Sequence, residues 1–201
     1  MIVIDGRQSS MDIGTFANLE ELLVKVMEEE VIDGHIVTDV YVNQEAFSEI
    51  YPHHAEDIEA DEIQSVELRT VSVDEMAGDV TQELFTVIKI LQNGAKSVAS
   101  SLRQADIADG LELLQDLLDV TRNFLGTIGV LHQRFPHQDE APMHDSTVNL
   151  DRLLTEMSEV MNDQDWLLLA DLLEYEFLPA CNDWDKVLQG FVEDIAATRV
   201  E

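Results

Sequence analysis

Residues 113–119 read LLQDLLD and residues 168–174 read LLADLLE, a repetition at an offset of 55 positions. Upstream, the apolar positions of residues 95–105 fall on those of residues 150–160 at the same offset. Spacings of three and four between these positions indicate helices that each bury one face. The last two-thirds of the chain therefore reads as one helix–turn–helix unit written twice.

Two such helical hairpins predict a four-helix bundle, in which each helix buries one apolar stripe against the others. A single duplication is too short for a solenoid, which needs three or more units. The bundle is predicted to occupy residues 74–201, as a domain separate from residues 1–73. Its helices are expected to begin at Asp74 and to cover residues 107–131, residues 148–161 and the chain from Asp165 onward, with one long loop over residues 132–147.

Proline, tryptophan and glycine mark special positions in these helices. Pro179 falls within the apolar pattern of the fourth helix, which predicts a kink or a division of that helix. Trp166 and Trp184 lie on the seam of the same helix and are expected in the core. Gly126 and Gly129 stand inside the second helix, where they favour close packing over phosphate binding.

The first 73 residues read as a small α+β unit. Asn18 followed by Glu21 is typical of a capping box at the start of a helix, and Asp33-Gly34 is a stop signal for that helix. Residues 36–42 carry apolar side chains on both faces, which predicts an interior strand. The other strands are predicted over residues 1–5, from Gly6 to Ile13 and over residues 65–73, with an irregular acidic crossing at residues 51–62 that contains at most one turn of helix.

Strand, strand, helix, strand, acidic crossing and strand is an element order that resembles a β-grasp (ubiquitin-like) domain over residues 1–73. The chain continues into a helix at Asp74 instead of a flexible diglycine tail, so the resemblance does not imply a covalent modifier. The resulting prediction is an α+β fold, with a small β-grasp-like N-terminal domain followed by a four-helix bundle of two repeated αα-hairpins.

Two further resemblances concern the helices. The segment LLLADLLEYEFLPACNDW at residues 167–184 looks like a helix of uncharacterised bacterial proteins, and it implies no activity. The bundle architecture is similar to that of cytosolic secretion chaperones of the flagellin-binding type, which implies binding of a secreted or assembling partner.

Acidic residues dominate the chain, with 42 Asp and Glu against 11 Lys and Arg and a formal net charge of −31. Seventeen of the acids and three of the bases lie in residues 1–73, so both predicted domains are negative. Such a surface repels phosphate groups, which disfavours direct binding to nucleic acid or to anionic membranes. The charge is consistent with solubility or adaptation to high salt, with attraction to a basic partner, and with mimicry of DNA phosphates.

Three features of the sequence bear on the compartment. No apolar run is long enough to span a bilayer, and the N-terminal sequence MIVIDGRQSS lacks the basic region of a signal peptide. Cys181 is the only cysteine, which suits a reducing compartment. Together these features predict a cytoplasmic protein.

The sequence carries no recognisable catalytic motif. Glu-x-x-His pairs, which a di-iron bundle needs, are missing from the predicted helices, and there is no GxSxG, Walker A, GxGxxG or HExxH motif. Cys181 lies near Asp183 and Asp185, and negative neighbours raise a thiol pKa, so this cysteine is a poor nucleophile. No cofactor is expected.

A group of histidines and carboxylates in the predicted long loop is the one candidate for a metal site. It contains His132, His137, His144, Asp139, Glu140 and Asp145. Imidazole and carboxylate ligands suit zinc, but the spacing matches no recurring ligand pattern. The expectation is a solvated loop, and a metal-dependent enzyme using this loop is kept as an alternative.

A second apolar stripe is predicted on the fourth helix, rotated away from the tryptophan seam. It holds Leu168, Tyr175 and Leu178, and the offset of 55 gives it counterparts at Leu113 and Val120. The stripe is consistent with a wide bundle core, with cover by the N-terminal domain, with self-association and with a docking groove. An apolar groove with an acidic rim fits a basic amphipathic helix.

These features predict a non-enzymatic, cytoplasmic protein-interaction module that binds a protein partner, with a basic segment as the favoured ligand. A chaperone for a secreted or assembling partner is the alternative among binding proteins. The metal-dependent enzyme is the alternative from a different class.

Overall fold

The computed structural model describes residues 1–30, 34–47, 54–136 and 141–198. Its internal contacts divide the chain into two compact units, Met1–Met76 and Ala77–Glu201. Each unit has its own cluster of buried apolar side chains.

A five-stranded mixed sheet forms the first unit. Its strands are β1 (Ile2–Ile4), β2 (Arg7–Gln8), β3 (His35–Val42), β4 (Glu45–Ala46) and β5 (Val66–Ser72). The order is β2-β1-β5-β3-β4, with β1 and β5 parallel and the other neighbours antiparallel. This arrangement confirms the predicted α+β class, and β3 is the expected interior strand.

Helix α1 (Leu19–Glu29) packs on the sheet through Leu19, Leu22 and Val26, which are fully buried. Its start confirms the predicted cap, because Asn18 Oδ1 accepts a 2.9 Å hydrogen bond from the N–H of Glu21. In return, Glu21 Oε2 accepts a bond from the N–H of Ala17, one residue before the expected donor. Gly34, at φ 80°, returns the chain to β3.

Two details of the first unit differ from the prediction. The second strand is only two residues long, because Asp12 caps a 3₁₀ turn (Ile13–Thr15) and its side chain accepts the N–H of Gly14. The acidic crossing holds two further 3₁₀ turns, Ala55–Asp57 and Ala60–Glu62, while its first residues lie outside the described part of the chain.

Five helices follow in the described part of the chain. They are α2 (Val73–Arg103), α3 (Ile107–Arg134), α4 (Ala141–Asn162), α5 (Trp166–Leu172) and α6 (Leu178–Thr198). A π turn (Leu173–Phe177) runs directly from α5 into α6, so these two helices form one interrupted rod. Four rods therefore make the bundle, as predicted. No helix among the described residues has the length and apolar character needed to cross a bilayer.

The predicted long loop over residues 132–147 is wrong at both ends. Helix α3 continues through His132 to Arg134, and α4 already begins at Ala141. Pro142 does not prevent this, because a proline in the first turn of a helix lacks only an N–H that would have no helical partner.

The turns within the two hairpins share one geometry. Ala105 and Gln164 adopt left-handed backbone conformations, with φ of 62° and 56°. The N–H groups of Asp106 and Asp165 each bond the carbonyl oxygen five residues earlier, at 3.0 and 3.2 Å. These equivalences set the offset between the hairpins to 59 at the turn, so the predicted value of 55 is wrong by about one helical turn.

The glycines of α3 correct one further prediction. A Cβ added at Gly126 or Gly129 would meet no heavy atom within 4 Å, so neither glycine serves close packing. Close packing occurs instead at Gly110, where an added Cβ would lie 2.8 Å from Cδ2 of the buried Leu102.

Candidate docking surface

The π turn between α5 and α6 marks the most unusual backbone of the bundle. The N–H of Leu178 bonds the carbonyl oxygen of Leu173, five residues earlier. Pro179 follows immediately, and a proline cannot donate a helical hydrogen bond and its ring clashes with the carbonyl four residues before it. That carbonyl belongs to Tyr175, so the wider turn lies where the helix must make room for the proline ring. The interruption predicted at Pro179 is confirmed.

The five residues of the π turn make one circuit of the rod. Leu173 and Phe177, its first and last residues, are both buried in the bundle core. Tyr175, midway between them, is 68% exposed and points away from the core. Glu174 and Glu176 flank the tyrosine on either side.

On one flank, Arg103 at the end of α2 holds the π turn. Its Nη2 lies 2.6 Å from Asp171 Oδ1 on α5, and its Nη1 binds Glu174 Oε2. The hydrogen bonds to Asp171 and then to Glu174 raise the pKa of the guanidinium above its ordinary value. Arg103 therefore links the first hairpin to both α5 and the π turn.

On the other flank, Arg152 of α4 performs the same role. Its Nη2 lies 2.6 Å from Glu176 Oε2, and its Nη1 lies 2.8 Å from Glu156 Oε2 within α4. The hydrogen bond to Glu176 is the main cause that raises the pKa of Arg152. The π turn is thus held from both sides, and Tyr175 is presented between two ion pairs.

These contacts also establish which helices are neighbours. The α5–α6 rod lies beside α2 through Arg103 and beside α4 through Arg152. Each rod of a four-helix bundle has two neighbours and one diagonal partner, so α3 lies diagonally opposite the α5–α6 rod.

The three residues of the predicted stripe and their two counterparts therefore differ in place and in exposure. Leu168 and Tyr175 share the outer face of the α5–α6 rod, and Leu168 is 42% exposed. Leu113 is 38% exposed but belongs to α3, on the opposite corner of the bundle. Val120 and Leu178 are half-buried and pack against the bundle core.

The corrected register explains why the stripe divides. At the turn offset of 59, Leu168 corresponds to Asp109 and not to Leu113. Exposure also identifies a residue that the sequence pattern missed, because Leu167 beside Leu168 is among the most exposed apolar side chains of the bundle. We use the name outer face for Leu167, Leu168 and Tyr175.

The outer face lies in a strongly negative part of the chain. No Lys or Arg occurs between Arg152 and Lys186, and the intervening residues include nine Asp and Glu. Asp165 caps α5 by accepting the N–H of Leu168 at 3.1 Å, so one carboxylate lies at the start of the outer face. The outer face is therefore apolar at its centre, and the carboxylates at its margins outnumber the two arginines, Arg103 and Arg152, that pair with them.

Other reactive groups do not converge on the outer face. Cys181 is a buried free thiol, and burial, followed by the charge of Asp185, raises its pKa to about 12. His132 and His144 lie on α3 and α4, while His137, Asp139 and Glu140 lie outside the described residues. Among the described residues, no three His, Cys, Asp or Glu side chains are grouped as metal ligands.

Comparison with known proteins places the chain in a family. The family model described as "Domain of unknown function (DUF8042)" matches residues 79–187, which is more than half of the chain. The chain belongs to the DUF8042 family. Residues 1–71 match a second model, "Domain of unknown function (DUF8043)". No curated protein and no solved structure matches the chain.

Proposed function

We propose that this DUF8042 chain is a non-enzymatic protein-interaction module of the cytoplasm that docks a basic amphipathic helix on its outer face. The observation that carries the proposal is the exposure of Leu168 and Tyr175, seven residues apart along one rod. Both side chains are exposed on the same rod about two turns apart, so they offer a contact for the apolar side of a partner helix.

Charge complementarity supports a basic partner. The chain carries a formal net charge of −31, and next to the outer face the carboxylates outnumber Arg103 and Arg152, the two arginines that pair with them. A second copy of the chain would bring the same negative charge, so electrostatics favour a different, basic partner over self-association. A secreted or assembling protein chaperoned by this chain is one partner of this kind.

The rigidity of the outer face also supports docking. The backbone that carries Tyr175 is fixed by ion pairs to α2 and α4, so a partner does not have to order it on binding. A preorganised surface saves the entropy that ordering would cost.

The proposal can be tested with a synthetic helical peptide of about five turns, with Leu on one side and Arg on the other. Binding to the full chain is measured by fluorescence anisotropy at physiological ionic strength. We expect Leu168→Asp and Tyr175→Asp each to weaken binding by about tenfold, because each places a charge in the apolar contact.

The matched control is Val130→Asp on α3, where the parent side chain is 67% exposed, close to the value for Tyr175. All three variants add one negative charge, which by itself strengthens attraction to a basic peptide. Equal affinities of the three variants would refute docking on the outer face, provided that circular dichroism shows unchanged helix content.

A further inference from the structure

The correspondence between the two hairpins shifts by one residue at the π turn. Before the turn the offset is 59, and the buried Leu114 corresponds to the buried Leu173. After the turn the offset is 60, and it matches buried residues of α3 with buried residues of the second hairpin. The matched pairs are Leu117 with Phe177, Thr121 with Cys181, Phe124 with Trp184, Ile128 with Leu188 and Leu131 with Phe191.

The shift identifies an additional residue in the second hairpin. Two residues, Gln115 and Asp116, separate the buried positions of the first hairpin. Three residues, Glu174, Tyr175 and Glu176, separate the corresponding positions of the second. One extra residue in a helix is accommodated by widening one turn, which is the π turn observed here.

Tyr175 is the middle residue of these three and lies farthest from the core. When Tyr175 is left out of the alignment of the two hairpins, Glu174 aligns with Gln115 and Glu176 aligns with Asp116. Gln115 and Asp116 are polar, exposed residues of α3. Widened turns of this kind are rare and occur frequently at functional sites. The extra residue therefore adds an exposed aromatic ring between two carboxylates without disturbing the buried positions.

The first unit of the same chain shows what such a ring and carboxylate can bind. The guanidinium of Arg69 lies 4.7 Å from the ring centroid of Tyr41, and its Nε donates a 3.1 Å hydrogen bond to Glu67 Oε1. A tyrosine face and a neighbouring glutamate thus hold one arginine together. At the π turn, Tyr175 has glutamates on both sides, and its ring is largely exposed.

We propose that Tyr175, Glu174 and Glu176 form the receptor for one arginine side chain of the docked partner, an inference that rests on the proposed function. The ring face binds the planar guanidinium, and one of the two glutamates accepts its outer N–H groups, because the two carboxylates lie on opposite flanks of the rod. Arg103 and Arg152 bind Oε2 of the two glutamates from opposite sides, which leaves Oε1 of each carboxylate for the incoming arginine. Lysine fits less well, because its ammonium lacks the planar donor fork.

The test combines variants of the full chain with variants of the Leu/Arg peptide. Each peptide arginine is replaced in turn by citrulline, which keeps the shape and removes the charge, and by lysine. We expect Tyr175→Leu to weaken binding of the parent peptide by roughly threefold. Tyr175→Phe should bind that peptide as tightly as wild type, because it keeps the ring face. At one peptide position, the one that holds the bound arginine, replacement by citrulline should make the affinities of wild type and Tyr175→Leu equal.

Two results would overturn the arginine receptor. One is equal affinity of Tyr175→Leu and Tyr175→Phe for the parent peptide, and the other is a loss in Tyr175→Leu that persists at every citrulline position. If Leu168→Asp still weakens binding relative to Val130→Asp in those cases, docking on the outer face stands and only the receptor fails. If Leu168→Asp and Val130→Asp bind equally well, the proposed function itself fails.

Discussion

Phe124 of α3 and Trp184 of α6 meet edge to face in the bundle core, with ring centroids 5.7 Å apart and planes at 90°. They are also equivalent positions of the two hairpins at the offset of 60. A residue that contacts its own counterpart lies near a twofold axis. The pair therefore marks the centre of the internal symmetry of the bundle.

We expect Phe124→Ala to lower the free energy of unfolding by about 3–5 kcal/mol, because it removes a buried ring at this centre. Denaturant unfolding, followed by circular dichroism, measures the loss. Trp184→Phe is the matched comparison, since it keeps an aromatic edge and removes an indole N–H that has no partner among the described residues. A larger loss for Trp184→Phe than for Phe124→Ala would contradict the central role of the ring contact.

Deletion of Tyr175, combined with Pro179→Ala to remove the ring that opposes a regular turn, should convert the interrupted rod into a continuous helix. The deletion brings the second hairpin to the offset of 59 throughout, so the buried positions after the turn keep their partners. We expect the shortened chain to fold with native helix content. Deletion of Asp119, an exposed residue of α3, is the control, because it rotates every later buried position of α3 by about 100°. If both deletions unfold the bundle, the extra-residue interpretation is wrong.

Much of this architecture follows from local sequence rules. Apolar spacing identifies the rods, and Asn18 and Asp165 cap helices as residues of their type do. Register is harder to predict, because a shift of four residues rotates a helix by only about 40° and matches nearly the same faces. The leucine-rich segments therefore align at 55, although the turns coincide at 59.

The candidate site was harder to predict than the fold. Periodicity correctly separated the exposed Leu168 and Tyr175 from the tryptophan seam, in which Trp184 is buried and Trp166 is partly buried. It could not place Leu113 on a diagonal helix, because neighbour relations depend on ion pairs between distant residues such as Arg103 and Glu174. The outward direction of Tyr175 likewise depends on the π turn, for which Pro179 was the available signal.

Cys181 should be unreactive until the bundle unfolds. Burial raises its thiol pKa from the ordinary 9.0 to about 12, so the folded chain keeps the thiol protonated and shielded. We expect negligible labelling by Ellman's reagent at pH 8, and complete labelling in denaturant. Rapid labelling of the native chain would contradict the burial of Cys181.

The same shift predicts a loss of stability in alkali. A pKa that is raised in the folded state stabilises the fold fully below pH 9 and progressively less as pH rises towards 12. The loss for this group is about 1.4 kcal/mol per pH unit across that window. Cys181→Ala should lack this component, so the difference in free energy of unfolding between wild type and variant should shrink above pH 9.

Asp5 should stabilise the first unit in a pH-dependent way. Its Oδ2 accepts the hydroxyl of Thr70 at 2.7 Å and its Oδ1 accepts the N–H of Thr70 at 2.8 Å, and these bonds lower its pKa below 3.8. The stabilisation is therefore present above pH 3.8 and is lost as the pH falls through the lower pKa that Asp5 has in the folded state. The comparison variant is Asp5→Asn, because asparagine also adopts a left-handed φ such as the 47° seen here and its side chain does not titrate. The gap in urea midpoint between wild type and Asp5→Asn should be larger at pH 7 than at pH 2, and a constant gap would contradict the assignment.

Glycine positions in α3 offer a test of packing within one helix. A Cβ at Gly126 would meet open space, so Gly126→Ala should raise the free energy of unfolding by about 0.5–1 kcal/mol through helix propensity alone. Gly110→Ala should not raise the free energy of unfolding in this way, because the new Cβ would lie 2.8 Å from Leu102 Cδ2 and 3.2 Å from its Cγ. Leu102 is buried and has little freedom to move, so overpacking opposes the propensity gain. Both variants are compared with wild type by denaturant unfolding, and equal stabilisation by the two would mean that the turn between α2 and α3 is looser than the structure shows.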